Sequence, residues 1–313
     1  MYKFIDLFCG VGGFRVALEK KDMQCVFSSD IDKHAQAAYY QNFKDQPAGD
    51  ITEISEKRIP KHDILCAGFP CQPFSISGKK LSIMDNRGRL FYEIVRIANY
   101  HKPKVMLLEN VKNILSVDNG NTIKVILNKL DESGYKVHIH VLNASKFGLP
   151  QTRERVYFVC LRKNARLHTG QLEYKPPKES FKNIYLEDIL EKEVSESLYI
   201  KRKDVYMKTD NPTDYRLKPI RIGIVNKGGQ GERIYSIKGH AITLSAYGGG
   251  AGSRTGLYKD KKGIRRLSIT ECKRVMGFSD NHIVSPGIQG YQQMGNAVMP
   301  TMISKVYSSI TGL

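Results

Sequence analysis

Apolar residues in the first half of the chain fall into short unbroken runs, and between the runs they recur every three or four positions. FIDLFCG (4–10) is one such run and predicts a strand, VGGFRVALEKK after it opens a helix, and MQCVFSSD (23–30) predicts a second strand. IDKHAQAAYYQNF reads as a helix, DILCAGF (63–69) as a strand, and RLFYEIVRIANYHK as a helix with Leu90, Ile94, Ile97 and Ala98 on one face. KVMLLEN (104–110), a helix over about 121–133, and the strand patterns YKVHIHVLN and RVYFVCLR continue the series. Strands alternating with helices predict an α/β fold with a doubly wound, mainly parallel sheet. After about residue 165 the pattern degrades into LEYKPPKE, the proline-spaced NPTDYRLKPIRI, and the glycine clusters NKGGQGE and YGGGAGSRTG. Such composition predicts a second, smaller and irregular domain. The stretch from YQQMGNAVMP onward regains a helical pattern and returns to the first domain, so the expected divisions are 1–183, 184–285 and 286–313.

Charge changes the picture more than hydropathy does. The 313 residues carry a net charge of +18, and between Arg216 and Arg274 fourteen residues are basic and three acidic. A basic excess concentrated in one segment points to a polyanion partner, most simply nucleic acid. The six cysteines include no CxxC pair, so neither a zinc site nor a disulfide framework is expected, and no other metal is called for. No apolar run is long enough to span a bilayer. The opening MYKFIDLFCG enters a strand without a charged, apolar leader, which fits a reducing, cytoplasmic setting.

Candidate chemistry lies beyond the strand ends, where open α/β sheets hold ligands. FCGVGG (8–13) joins a strand to a helix, and its glycines allow a sharp turn and close approach of a ligand to the backbone. Asp30 ends the second strand and can accept from ribose hydroxyls; Asp50, in GDI after a third strand, is placed to meet an adenine. These features fit NAD and S-adenosylmethionine equally. GFPCQPFS (68–75) sets Cys71 between Pro70 and Pro73, whose rings fix the backbone on either side of a thiol. ENV (109–111) puts Glu109 at a neighbouring strand end, and QTRERVY (151–157) puts Arg153 and Arg155 on alternate positions entering a strand, hence on one side. A thiol, a carboxyl and two guanidiniums around an adenosine site make a reaction centre.

In that order FCGVGG, GFPCQPFS, ENV, QTRER and GNAV (295–298) resemble the motifs of the DNA (cytosine-5)-methyltransferases, from residue 4 to the end. The resemblance implies a SAM-dependent catalytic domain, a target-recognition domain and double-stranded DNA as substrate. It implies Cys71 as nucleophile, Glu109 at cytosine N3, and Arg153 and Arg155 around the base. Phe8, Gly10, Gly12, Gly13, Asp30, Ile31, Asp50, Ile51, Pro70, Asn296 and Val298 would line the S-adenosylmethionine site. Ser77, Gln230, Arg233, Tyr235, Thr243, Tyr247 and Gly250 would meet DNA, Gln230 and Ser77 filling or flanking the place of a flipped base. Gly228–Ser236 and Tyr247–Gly250 look like the recognition segments of a member that modifies GCGC, implying a restriction–modification system with a matching endonuclease. Asp30 departs from the family, where many members carry Glu, and AGSRTGLY (251–258) departs from the GCGC relative. A tRNA methyltransferase would share the catalytic motifs but not NKGGQGERIYS. An NAD oxidoreductase would leave Cys71, Glu109 and the basic segment idle, and a silent DNA-binding protein would not need the catalytic residues.

Overall fold

The unbroken apolar runs become a six-stranded sheet: β1 (Lys3–Leu7), β2 (Gln24–Ser29), β3 (Ile64–Gly68), β4 (Val105–Val111), β5 (Tyr135–Asn143) and β6 (Glu154–Arg162), in the order β2-β1-β3-β4-β6-β5. The structure, a computed structural model, describes residues 1–21, 23–70, 89–167, 170–210 and 212–311. β1 pairs in parallel with β2 and β3, and β3 with β4, whereas β6 runs antiparallel to β4. The runs are unbroken because these strands are covered on both faces: Phe4, Ile5 and Leu7 of β1 and Ile64, Leu65 and Cys66 of β3 are fully buried. Helices α1 (Gly13–Leu18), α2 (Lys33–Phe43), α3 (Arg89–His101) and α4 (Asn121–Glu132) accompany the sheet. α3 buries Phe91, Ile94, Val95, Ile97 and Ala98 in one core with Leu65, Met106 and Phe158, and Leu90 is half-buried beside them. The fold is the α/β sheet expected, mainly parallel, with β6 reversed.

One local expectation is corrected. Among the described residues no strand lies between α2 and Asp50; an irregular stretch follows α2, and Asp50 caps the turn Ile51–Glu53, its carboxylate accepting the Thr52 N–H at 2.9 Å. Gln46, Pro47 and Gly49 break the apolar run a strand would need.

Two compact units divide the chain: Met1–Leu142, Glu154–Pro177 and Ile303–Leu313 form the first, Asn143–Arg153 and Lys178–Met302 the second. The first is completed by a short antiparallel pair, Ile310–Thr311 with Glu173–Tyr174. The second holds a five-stranded sheet, Val205–Met207, Arg221–Val225, Arg233–Ser236, Leu257–Lys259 and Ile264–Arg265 in chain order. Ile222, Val225, Ile234 and Leu257 form one apolar cluster of this unit, which also buries Leu244, Leu267, Val275, Met276 and Met294. Buried charge is paired there as well. Fully buried Glu271 takes both terminal nitrogens of Arg265 at 2.7 and 2.8 Å, while Arg265 Nε donates to Asp260 at 2.6 Å. Glu271 also closes a capping box with Ser268 at the start of α5 (Ile269–Met276), and Gly277 ends that helix in the left-handed conformation. A further helix, α6 (Gly287–Asn296), follows. Among the described residues no helix is long and apolar enough to cross a membrane.

Candidate active site

The strand order reverses direction at β1, so the loops after β1 and β3 flank the crevice where such sheets take ligands. The loop after β1 is tightly wound: Phe8, Gly10 and Gly12 have φ of 54°, 53° and 84°. A Cβ on Gly12 would fall 2.3 Å from the Phe43 ring, so only glycine lets α1 start here, whereas Gly10 would meet nothing within 4 Å and faces open space. Three hydrogen bonds gather the neighbouring segments. Cys9 N–H donates to Ser29 O at 3.0 Å, Gly10 N–H to Asp30 Oδ2 at 2.7 Å, and Ala48 N–H to Ser28 O at 2.9 Å. Asp30 also accepts from Asp32 N–H at 2.9 Å, and burial raises its carboxyl above the usual range. Ile31 beside it is 70% exposed, a large apolar side chain presented to solvent at the rim of the loop. Ile51 is buried under its turn, and Pro70 is exposed beyond β3. Phe8, Gly10, Gly12, Gly13, Asp30 and Ile31 thus lie together. Asn296, exposed at the end of α6, and half-buried Val298 belong to the second unit.

A residue not singled out from the sequence fixes the Asp50 turn. Arg96 on α3 donates to Ile51 O at 3.2 Å and Ile54 O at 2.9 Å, and pairs with Glu93 and Glu56. An arginine on a helix otherwise read for its apolar face carries no mark of that duty in sequence.

Glu109 stands near the carboxyl end of β4, 8% exposed, and its register partner on β3 is Gly68. Because β6 is reversed, its first residues come to this end of the sheet: Val111 pairs with Arg155, whose Nε lies 3.2 Å from Glu109 Oε1. Asn110 donates to Phe69 O at 2.8 Å, tying the two strand ends together. Cys71 and Ser77 lie outside the described residues. The five described cysteines, 9, 25, 66, 160 and 272, are all buried, and burial pushes every one of these thiols up, that of Cys25 to about 12. They behave as small apolar residues of the core.

Arg153 has partners the sequence did not name. β6 begins at Glu154, and Arg153 belongs to the second unit, 2% exposed. It donates to Leu244 O at 3.3 Å, Gly295 O at 3.0 Å and Ala297 O at 3.1 Å. A guanidinium's fork of donors suits clustered carbonyls, and here it binds the GNAV segment to the irregular stretch before Tyr247.

The second unit also contains a cavity of about 420 Å³ whose lining includes Gln230, Gly231, Arg233, Tyr235 and Thr243. Four of the expected DNA contacts therefore converge. Thr152 and Gly256, not foreseen, line it too, and Thr243 Oγ1 donates to Thr152 O at 2.7 Å. Tyr247 is 79% exposed and Gly250 has φ of 74°. Among the described residues no group of His, Cys, Asp and Glu could hold a metal.

The profile of the family described as C-5 cytosine-specific DNA methylase matches residues 2–312. The type II methyltransferase M.HhaI of Haemophilus parahaemolyticus is 49% identical over 311 residues, 98% of this chain and 94% of that protein. The type II methyltransferase M.MspI of a Moraxella species is 40% identical, covering 99% of this chain and 70% of its own length. Among solved structures, a mutant DNMT2 of Spodoptera frugiperda shares the fold with a TM-score of 0.75 at 21% identity, over 98% of this chain and 99% of that one. The chain belongs to the C-5 cytosine-specific DNA methylases; its activity is that of a DNA (cytosine-5)-methyltransferase.

Proposed function

We propose that the chain is the modification enzyme of a restriction–modification system, transferring a methyl group from S-adenosylmethionine to C5 of a flipped-out cytosine in double-stranded DNA at GCGC. The observation that carries this reading is the Glu109–Arg155 ion pair at the end of β4, level with the end of β3, because GFPCQPFS runs on from β3. The loop of Phe8 to Gly13 with Asp30 and Ile31 fits an adenosine-bearing ligand: an open face over Gly10, a carboxylate and an exposed apolar side chain. Ile51, Asp50, Pro70, Asn296 and Val298 complete the set proposed to hold it. S-adenosylmethionine, when bound, supplies an electrophilic methyl group.

Cytosine C5 is too poor a nucleophile to take that group unaided. The Cys71 thiolate forms an S–C6 bond, which moves electron density onto C5 and toward N3. Glu109 holds or protonates N3 as that charge develops, and Arg155 steadies the carboxyl from the side. Once C5 carries the methyl, its proton passes to water, the S–C6 bond breaks, and the thiolate is regenerated. Arg153 supports the surface around the base from within the second unit. A base inside a duplex shields C6, so the target leaves the stack at a cost of roughly a few kcal/mol. Gln230 and Ser77 fill or flank the gap, while Arg233, Tyr235, Thr243, Tyr247 and Gly250 read the flanking bases. Arg233 can offer a bidentate fork to guanine, worth about 1–3 kcal/mol of discrimination. The setting is the cytoplasm, alongside an endonuclease for the same site.

Duplex bearing 5-fluorocytosine at the target is expected to trap the enzyme covalently when S-adenosylmethionine is present, since fluorine cannot leave as a cation. Cys71→Ser is expected to trap nothing; wild-type turnover in that variant refutes the mechanism. Bisulfite sequencing of plasmid from expressing cells is expected to show modification at GCGC, and modification at CCGG or GGCC instead overturns the site.

A further inference from the structure

The two glycine-rich segments of the second unit meet backbone to backbone. A Cβ on Gly231, which has φ of +80°, would fall 2.0 Å from the carbonyl oxygen of Gly249. Gly252 N–H donates to Gly231 O at 2.7 Å, and a Cβ on Gly252 would lie 2.8 Å from that same oxygen. On Gly250 a Cβ would come within 3.3 Å of Gln230 O. Atoms this close on both sides leave no room for a methyl group, and both partners are main chain, which cannot swing aside as a side-chain tip can. Glycine is therefore required at Gly231 twice over, for conformation and for space.

Gln230 and Arg233 bracket Gly231 on the first segment, and both line the cavity together with it. Tyr247, 79% exposed, opens the second segment. Their spacing is set through the junction at Gly231. We infer that Gly231 is a specificity-determining residue: its missing side chain locks the two segments into one reading surface, so that Arg233 and Tyr247 meet a duplex at a fixed separation. The inference rests on the DNA-modifying function proposed above. Base-edge hydrogen bonds tolerate displacements of only about 0.5 Å before they fail, and a methyl group at Gly231 forces a larger one.

The test compares Gly231→Ala and Gly252→Ala, which strike the junction from opposite sides, with Gly239→Ala. A Cβ on Gly239 would lie 2.5 Å from Lys218 O, a main-chain clash in the same unit that touches neither Gly231 nor the stretch from Tyr247 to Gly252. The reference site is whichever sequence the wild-type enzyme modifies in plasmid, so the readout does not presuppose GCGC. Three quantities are measured: the affinity ratio between that site and single-base variants, S-adenosylhomocysteine affinity by calorimetry, and Tm. Gly231→Ala and Gly252→Ala are expected to lower the ratio at least tenfold while S-adenosylhomocysteine affinity stays within twofold. Gly239→Ala is expected to lower Tm and keep the ratio. An unchanged ratio in Gly231→Ala overturns the lock, as does an equal loss in Gly239→Ala. Should Gly231→Ala not fold, Gly252→Ala decides alone. A wild-type enzyme that discriminates among no sequences would instead refute the function on which the lock depends.

Discussion

A carboxylate 8% exposed at a strand end, with a guanidinium nitrogen 3.2 Å away, is held in one place before any base arrives. Glu109→Gln preserves that shape and removes the charge and the proton. It is expected to lower single-turnover methylation by about 10²–10⁴-fold, the usual worth of a placed acid–base group, with DNA and S-adenosylhomocysteine affinities kept. An unchanged rate demotes Glu109 to a structural part. His62 makes a separate prediction about acid. Buried against His101, with ring centroids 4.7 Å apart, its ring is pushed down by burial from the ordinary 6.5 to about 4. The unfolded chain then takes up a proton below pH 6.5 that the folded chain refuses, so the stability present above pH 6.5 is lost progressively as pH falls toward 4. The full loss is on the order of 3 kcal/mol, and His62→Asn, compared by denaturant titration at pH 7 and pH 4.5, is expected to flatten that slope. Residues fixed by local chemistry, such as Gly12 and Asp30, could be read from sequence. The partners of Arg153 could not, because Leu244, Gly295 and Ala297 lie about 90 to 140 residues further along the chain.

At the scale of elements, legibility followed the source of the cohesion. The strands and helices of the first unit were readable because burial on both faces of a sheet writes itself as unbroken apolar runs, as in β3 and β4. The turn at Asp50 and the strands of the second unit were not, since capping carboxylates, glycine junctions and ion pairs leave no periodicity. The Arg265–Glu271 pair shows how much rests on such contacts: both side chains are nearly inaccessible, and each binds more than one partner. Removing one member of a buried pair strands the other's charge. Glu271→Ala is therefore expected to destabilise the fold by about 3–5 kcal/mol, read as a large drop in Tm. A drop no greater than that of an exposed substitution contradicts the role given to the pair.

For the whole molecule, the net charge of +18 makes affinity for DNA a function of salt. Log K is expected to fall by about 0.9 per phosphate contacted for each tenfold rise in salt. Neutralising exposed Lys261 and Lys262 together should flatten that slope while leaving the preferred sequence alone. A wild-type slope near zero means the basic segment is only a solvated face. The division of the chain carries a different consequence. The first unit is assembled from three stretches, and Ile310–Thr311 must reach back to Glu173–Tyr174 to complete it. A ribosome makes proteins from the front, and domains ordinarily fold as they emerge. Here the sheet bearing Glu109 is synthesised early, yet its unit stays open until residues 303–311 have left the exit tunnel. Nascent chains that stop short of these residues lack the finished unit, so the capacity to mark DNA waits on this returning segment and comes almost all at once.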